Sequence, residues 1–195
     1  MKNVMVDLET LGTKPGSVIL SIGAVFFSEE GLGEEFYCIV NHADSVAAGL
    51  TEDASTLKWW QSQKPEAQKV LSDAKNEVIA KPLREALVLF SKWLYGEAGK
   101  KHLKVWGNGS DFDNVLLSSA FAVVGMATPW LFWNSRCFRT LKNLPGAELL
   151  APKRVGTHHN ALDDAKTQAL HAVEIMQRVN IGTVYAAESG EKVRS

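Results

Sequence analysis

The stretch VMVDLETLG, residues 4–12, decides the fold class that this sequence predicts. Its apolar start, Val4 to Val6, is typical of a buried β-strand. Asp7 and Glu9 are separated by one residue, so on a strand both side chains leave the same face of the sheet. Two carboxylates at the end of a buried strand are costly unless a cation or hydrogen-bond donors compensate them. We therefore expect a positive group beside them.

Turn signals and apolar runs predict the rest of the sheet. With the first strand at Val4–Leu8, the second and third are expected over residues 18–27 and 35–40, as an N-terminal meander. A short apolar segment at residues 103–106 predicts a fourth strand, which ends at Gly107. A fifth strand is expected before the last helix, because strands and helices alternate in this half of the chain.

Helices are predicted where apolar residues recur at helical spacing or where a proline opens a first turn. They are residues 51–63, a short helix from Pro65, a longer one from Pro82, residues 112–124 and residues 161–178. We expect residues 128–139 to be irregular and the chain after Gly182 to fray. The order of elements predicts an α/β domain over residues 1–180, with a mixed five-stranded sheet and helices on both faces. A polar extension is expected over residues 181–195.

The composition is that of a globular protein. Apolar residues make up 46% and charged residues 22% of the 195 residues, enough for a buried core. The 21 basic and 22 acidic residues give a formal net charge of -1, so no strong basic field exists to coat duplex DNA. Two cysteines, Cys38 and Cys137, are too few for a disulfide framework. The sequence has no signal-peptide pattern and no apolar run of roughly 18 residues, so we expect a cytoplasmic protein without a membrane partner.

Two further motifs place acidic residues where helices are expected to begin. Asp113 lies in WGNGSDFDNVLL, residues 106–117. Asp164 lies in HHNALDDA, residues 158–165, five residues after His159. Taken singly, these acids have a structural explanation, because carboxylates favour the positive N-terminus of a helix. A lone histidine is likewise more often a hydrogen-bonded bystander than a catalyst.

The ordered set DLET, NGSDFDN and HNALDDA resembles the DEDDh exonucleases of the ribonuclease H-like superfamily, which includes DnaQ-type proofreading subunits and oligoribonuclease. The runs TLKWW, KVWGNG and FWN, at residues 56–60, 104–109 and 132–134, resemble one branch in particular. That branch contains the nuclease domain of bacterial exonuclease VIII and related phage exonucleases. The resemblance covers residues 3–178 and implies a ribonuclease H-like fold.

The resemblance implies a metal-dependent 3'-5' exonuclease acting on single-stranded DNA or RNA and releasing nucleoside 5'-monophosphates. It assigns the metal ligands to Asp7, Glu9, Asp113 and Asp164, and the general base to His159. The implied cofactors are two divalent ions, Mg²⁺ or Mn²⁺, because these hard cations prefer carboxylate oxygens. Two such ions stabilise both the attacking and the leaving oxygen of an in-line displacement.

The resemblance also implies that the chain just after the first motif holds the 3' end of the substrate, which assigns binding roles to Leu8, Thr10 and Leu11. Trp59 and Trp60 are first of all candidates for packing, with base stacking as the second interpretation. A homo-oligomer is compatible with the sequence.

Neighbouring residues duplicate several of these side chains. Asp111, Asp163 and His158 each stand close to an assigned residue. We select Asp113 because FDN matches the family motif there, and Asp164 because an alanine follows it. Lys153 and Arg154 form a basic pair just before the motif HHNALDDA. Contact with a phosphate and exposure to solvent are equally good interpretations of this pair.

Two rival functions stay open at this point. One is a catalytically silent module on the same fold that binds nucleic acid or protein. The other is a metal-dependent nucleotidase that uses the same acids on small substrates. Many relatives carry an acidic residue near the position at which this chain has Cys137. The sequence therefore leaves open what takes the supporting role of that acid here.

Overall fold

Five strands form one mixed sheet in the computed structural model, which describes residues 2–97, 102–109 and 111–189. They span Lys2–Thr10 (β1), Ile19–Ser28 (β2), Gly31–Ile39 (β3), Leu103–Gly107 (β4) and Ser135–Cys137 (β5). The spatial order is β3-β2-β1-β4-β5. β1 pairs antiparallel with β2 and parallel with β4, and β5 adds parallel to β4. The predicted mixed five-stranded sheet is confirmed, and the carboxyl ends of β1 and β4 meet at one edge.

Seven α-helices surround the sheet in the described part of the chain. They are His42–Ala47 (α1), Ala54–Gln61 (α2), Pro65–Asp73 (α3), Leu83–Glu97 (α4), Asp113–Val123 (α5), Phe138–Lys142 (α6) and Ala161–Ser189 (α7). The sequence does not predict α1 or α6, because helices of six and five residues are too short to display a helical period. Within the described ranges, no helix combines the length and the apolar character that a membrane crossing requires.

The last helix is longer than the sequence predicts. Its apolar period predicts an end at Arg178, whereas α7 continues to Ser189. An interior glycine costs a helix only about 1 kcal/mol, and the alanines that follow it favour the helical state. The remaining residues of the predicted polar extension, 190–195, lie outside the described residues.

β1 separates two apolar layers. The larger layer receives every second side chain of the strand, Val4, Val6 and Leu8, and the helices α4 and α5. The smaller layer receives Met5, against which α7 places the small side chains of Ala165 and Ala169. Because side chains alternate along a strand, Asp7 and Glu9 follow Met5 onto the α7 side of the sheet. The N-terminal part of α7 therefore lies over both carboxylates.

A close approach between β2 and α7 depends on Gly23, which pairs with Asp7 across the sheet. A Cβ atom at Gly23 would lie 2.1 Å from the backbone carbon of Ala161, at the start of α7. We expect Gly23→Ala to lower the free energy of unfolding by about 3 kcal/mol, since backbone cannot yield as a flexible side chain does. Urea denaturation measures this change. Gly33→Ala is the matched control, because its added Cβ would meet Phe26 at an ordinary 3.4 Å. Equal stability of the two variants would contradict the packing described.

Candidate active site

Four of the five residues assigned to metal binding and base catalysis line one cleft at the carboxyl end of β1. The cleft has a volume of about 780 Å³, and Asp7, Glu9, His159 and Asp164 lie along its wall. Asp113, the first residue of α5, lies just behind the wall and is 1% exposed. The fold thus brings together residues from the first strand, a central helix and the last helix.

Glu9, His159 and Asp164 form a group with the dimensions of a cation site. One ligand atom from each of the three side chains lies within 4.8 Å of the others. Glu9 Oε1 is buried and accepts no hydrogen bond from the described protein atoms. A buried carboxylate oxygen without a donor is costly, and a hard divalent cation is the partner that such an oxygen prefers. The two carboxylates of this group therefore fit a divalent metal ion, and the imidazole of His159 lies beside them.

Asp113 is held in place by the backbone. Its Oδ1 accepts a hydrogen bond from the N–H of Leu8 at 3.2 Å, and its Oδ2 accepts one from the N–H of Asn108 at 2.8 Å. These bonds tie the start of α5 to β1 and to the residue that follows β4. A side chain at Gly107 would come within 2.9 Å of the Asp113 Cβ, so glycine at this position lets α5 approach.

Burial raises the pKa of three of the carboxyl groups, and repulsion from neighbouring acids adds to this at Asp7 and Glu9. Burial, and then the charges of Asp113 and Glu9, hold the pKa of Asp7 well above its usual range, although Gln168 donates to Asp7 at 2.7 Å. Burial followed by repulsion from Asp113 raises the pKa of Glu9 to about 8. Burial raises the pKa of Asp113 to about 6, against its backbone hydrogen bonds. Positive charge brought into this group would favour the ionised forms.

Asp164 has partners on both of its oxygens. Its Oδ1 accepts from the guanidinium of Arg154, and its Oδ2 accepts from the backbone N–H of His159 at 3.0 Å. The expectation of a positive group beside the acids is thus met in part by Arg154, whose charge lowers the pKa of both Asp7 and Glu9. Arg154 precedes the motif HHNALDDA and lines the cleft.

His159 is fixed in an uncommon backbone conformation with a φ of 61°. The ring of Trp59 meets its ring edge-on, with centroids 4.9 Å apart, and the ring of His158 lies 3.8 Å away. Burial first, and then the charges of His158 and Arg154, lower the pKa of His159 below its ordinary 6.5. The imidazole is therefore mainly neutral at pH 7, the form that accepts a proton. His158 is exposed and also lines the cleft.

The two tryptophans have different positions. Trp60 is buried, and its indole N–H donates to the carbonyl oxygen of Thr10 at 2.9 Å, which fixes the end of β1. Trp59 is 42% exposed and stands on the wall of the cleft. Packing thus accounts for Trp60, whereas Trp59 remains a candidate for base stacking.

Of the three residues assigned to substrate binding, two line the cleft and one does not. Leu8 and Thr10 line the cleft, although the N–H of Leu8 is already engaged by Asp113. Leu11 is not among the residues that line it. The backbone N–H of Leu11 donates to Val18 and its carbonyl accepts from Asp53, so its polar groups are engaged by the turn after β1.

The duplicated acids differ in burial and in partners. Asp111 is exposed, in contrast to the buried Asp113. Asp163 accepts a hydrogen bond from the N–H of Thr157 at 2.7 Å and so anchors the loop before α7. The structure thus separates Asp113 from Asp111 and Asp164 from Asp163, and the assignment of metal binding to Asp113 and Asp164 stays a prediction.

Sequence reasoning missed two residues of the cleft that hydrogen-bond to the assigned acids, Gln168 and Asn108. Gln168 holds Asp7 and also has a buried Oε1 without a donor or partner among the described atoms. Its position four residues after Asp164 places both on one face of α7, a spacing that could have revealed it. Asn108 follows directly after β4 and lines the cleft, but nothing in its local sequence distinguishes it from an ordinary turn residue.

Comparisons with known proteins agree with this arrangement. Residues 2–176 match the family described as the 3'-5' exoribonuclease Rv2179c-like domain. A comparison with curated proteins gave no match.

Solved structures share the fold at low sequence identity. The nuclease domain of 3'hExo, a DEDDh family member solved with rAMP, aligns with a TM-score of 0.60 and 15% identity, over 91% of this chain and 92% of that one. Exonuclease X, solved with 5' overhanging duplex DNA, aligns with a TM-score of 0.57 and 14% identity, over 91% of this chain and 93% of that one. The zinc-bound E. coli ExoI–ssDNA complex aligns with a TM-score of 0.59 and 15% identity, over 96% of this chain and 43% of that one. The predicted α/β fold class, that of the DEDDh exonucleases, is confirmed.

Proposed function

This chain belongs to the family of Rv2179c-like 3'-5' exoribonuclease domains, and on that premise we propose that it removes nucleotides stepwise from the 3' end of single-stranded RNA. The observation that carries the proposal is the group of Glu9, His159 and Asp164, whose ligand atoms lie within 4.8 Å of one another. Asp7 stands beside this group on the same face of β1, and Asp113 lies behind both. The product of each turnover is a nucleoside 5'-monophosphate.

In this proposal the four carboxylates hold two divalent ions, with Mg²⁺ or Mn²⁺ suited to their oxygens. When bound, such ions supply the positive charge that polarises the phosphodiester and acidifies a water molecule. The protein contributes a rigid frame, because the backbone fixes Asp113 and Gln168 fixes Asp7. The unpartnered oxygen of Glu9 and the raised pKa values of Asp7, Glu9 and Asp113 support this assignment.

His159 acts as the general base in this account. It takes a proton from the attacking water, whose oxygen forms the new bond to phosphorus while the bond to the 3' oxygen breaks. The 3' oxygen of the shortened strand takes up a proton and leaves as a hydroxyl. Trp59 and Asp164 position His159, the first through its ring and the second through the backbone N–H.

The substrate is a single strand because a terminal base must leave a duplex before its phosphate reaches the cleft. The exposed ring of Trp59 provides a surface on which that base stacks. RNA is preferred here because the family is described by exoribonuclease activity. Leu8 and Thr10 form the wall against which the terminal nucleotide packs.

We also propose that the chain resembles the exonuclease VIII branch, that its domain ends near residue 180, and that it is located in the cytoplasm. Cys38 and Cys137 are free cysteines, which agrees with a reducing compartment.

A 5'-labelled RNA strand tests the proposed function, with a DNA strand of the same sequence beside it. We expect the RNA to shorten stepwise from its 3' end in Mg²⁺ or Mn²⁺, and both strands to stay intact in chelator. RNA should be consumed faster than DNA, and blunt duplex slower than either. Degradation that survives chelation, or that starts at the 5' end, would contradict the proposal. Phosphate release from free nucleotides without shortening of the strand would favour a nucleotidase instead.

A further inference from the structure

Arg154 forms an ion pair with a residue assigned to metal binding, and it is the one such pair among the described residues. Its guanidinium contacts Oδ1 of Asp164, and the Arg154 side chain is 35% exposed while that of Asp164 is 12% exposed. Arg139 lowers the pKa of Asp113 through its charge, but neither Arg139 nor Lys142 forms an ion pair with a carboxylate of the cleft within the described ranges. Arg154 thus pairs directly with Asp164, and its charge also acts on Asp7 and Glu9.

The loop that carries Arg154 is tied to α7 on the C-terminal side of the arginine. The N–H of Val155 donates to the hydroxyl of Thr167 at 3.1 Å, and the N–H of Thr157 donates to Asp163 at 2.7 Å. The guanidinium also donates to the carbonyl of Thr157 at 3.3 Å. These bonds hold the backbone of Arg154 at the cleft whether or not its side chain contacts Asp164. The guanidinium can therefore change partners without leaving the site.

Both oxygens of Asp164 already have a partner. Oδ2 accepts from the fixed backbone N–H of His159, whereas the partner of Oδ1 is a side chain, Arg154, which a cation on that oxygen would have to displace. A guanidinium and a divalent ion on the same oxygen repel each other. A phosphate group, in contrast, offers the planar guanidinium a pair of oxygens with matching geometry.

We propose that Arg154 competes with divalent cations for Asp164, and that the phosphate of a bound nucleotide draws the guanidinium away. Arg154 then couples the binding of metal to the binding of substrate, so that each strengthens the other. Without nucleotide, the arginine keeps the affinity for metal low. This inference rests on the proposed function, because it takes the phosphate to be that of a nucleic-acid strand or its product.

Titration of the metal-free protein with Mn²⁺, followed by the electron paramagnetic resonance of the free ion, tests the competition without turnover. We expect Arg154→Met to bind Mn²⁺ about tenfold more tightly than the wild type when no nucleotide is present. Arg154→Lys keeps the positive charge and should stay closer to the wild type. Lys153→Met removes a charge at the neighbouring position, which does not line the cleft, and should bind Mn²⁺ as the wild type does.

The same titration with saturating AMP, the product of RNA hydrolysis, tests the coupling. In the wild type AMP should tighten Mn²⁺ binding, and in Arg154→Met this gain should be smaller by about tenfold. Equal or weaker Mn²⁺ binding by Arg154→Met, or an unchanged gain with AMP, would overturn the role of Arg154. If the wild type bound neither Mn²⁺ nor AMP, the proposed function itself would fail.

Discussion

Asp113→Asn is expected to lower the rate of 3'-terminal hydrolysis by about 10²–10³-fold or more, the usual cost of removing a group that stabilises transition-state charge. Asparagine keeps the size of the side chain but loses one negative charge beside Asp7 and Glu9. It also replaces one of the two oxygens that accept the N–H groups of Leu8 and Asn108. Single-turnover rates on a labelled RNA strand, at saturating metal, measure the loss.

Asp111→Asn is the matched control for this variant. Asp111 lies two residues earlier and is exposed, so its replacement should cost at most about 1 kcal/mol of stability at the start of a helix. Its hydrolysis rate should stay near that of the wild type. If Asp111→Asn were the inactive variant and Asp113→Asn the active one, the register of the second motif would be wrong.

His159→Ala is expected to slow hydrolysis by about 10²–10⁴-fold, the range usual for a general base. A base acts in its neutral form, so the rate should rise with pH through the pKa of His159. Burial, His158 and Arg154 lower that pKa from 6.5, which places the acidic limb of the pH–rate profile below 6.5. In the alanine variant this limb should flatten, and a limb that remains at lower pH would report protonation of the metal ligands. The profile of the single-turnover rate against pH measures both effects.

His158→Ala is the control for this prediction. His158 contributes to the low pKa of His159, so its removal should move the acidic limb upward while most of the rate remains. Mn²⁺ affinity distinguishes a base from a ligand, because His159 lies within reach of Glu9 and Asp164. Full activity of His159→Ala, or loss of Mn²⁺ binding in it, would require another assignment for the histidine.

The parts of the fold that sequence predicts well are those with long, regular patterns. β1 combines an apolar run with two acids at spacing two, and α7 begins with a run of alanines at helical spacing. Strand β5 has only three residues and follows an aromatic stretch, so no alternation marks it. Its position depends on pairing with β4, a contact between residues about thirty positions apart that a local pattern cannot express.

The candidate site divides in the same way. The acids and His159 stand out because their order and spacing are specific. The pairing of Arg154 with Asp164, and the bond from Trp60 to Thr10, join segments through side chains whose direction the sequence does not encode. Leu11 shows the reverse case, because its place after the motif suggests a substrate contact while the turn after β1 takes both of its backbone groups.

The identity of the first product tests the central claim most directly. An RNA strand with a radioactive phosphorus in its last phosphodiester bond is mixed with excess protein and Mg²⁺, and the label is followed through one turnover. We predict that it appears as a nucleoside 5'-monophosphate, at a rate that Asp113→Asn reduces by about 10²-fold or more. Label released as inorganic phosphate, label left on the shortened strand as a 3'-phosphate, or label released equally fast by Asp113→Asn would contradict the account.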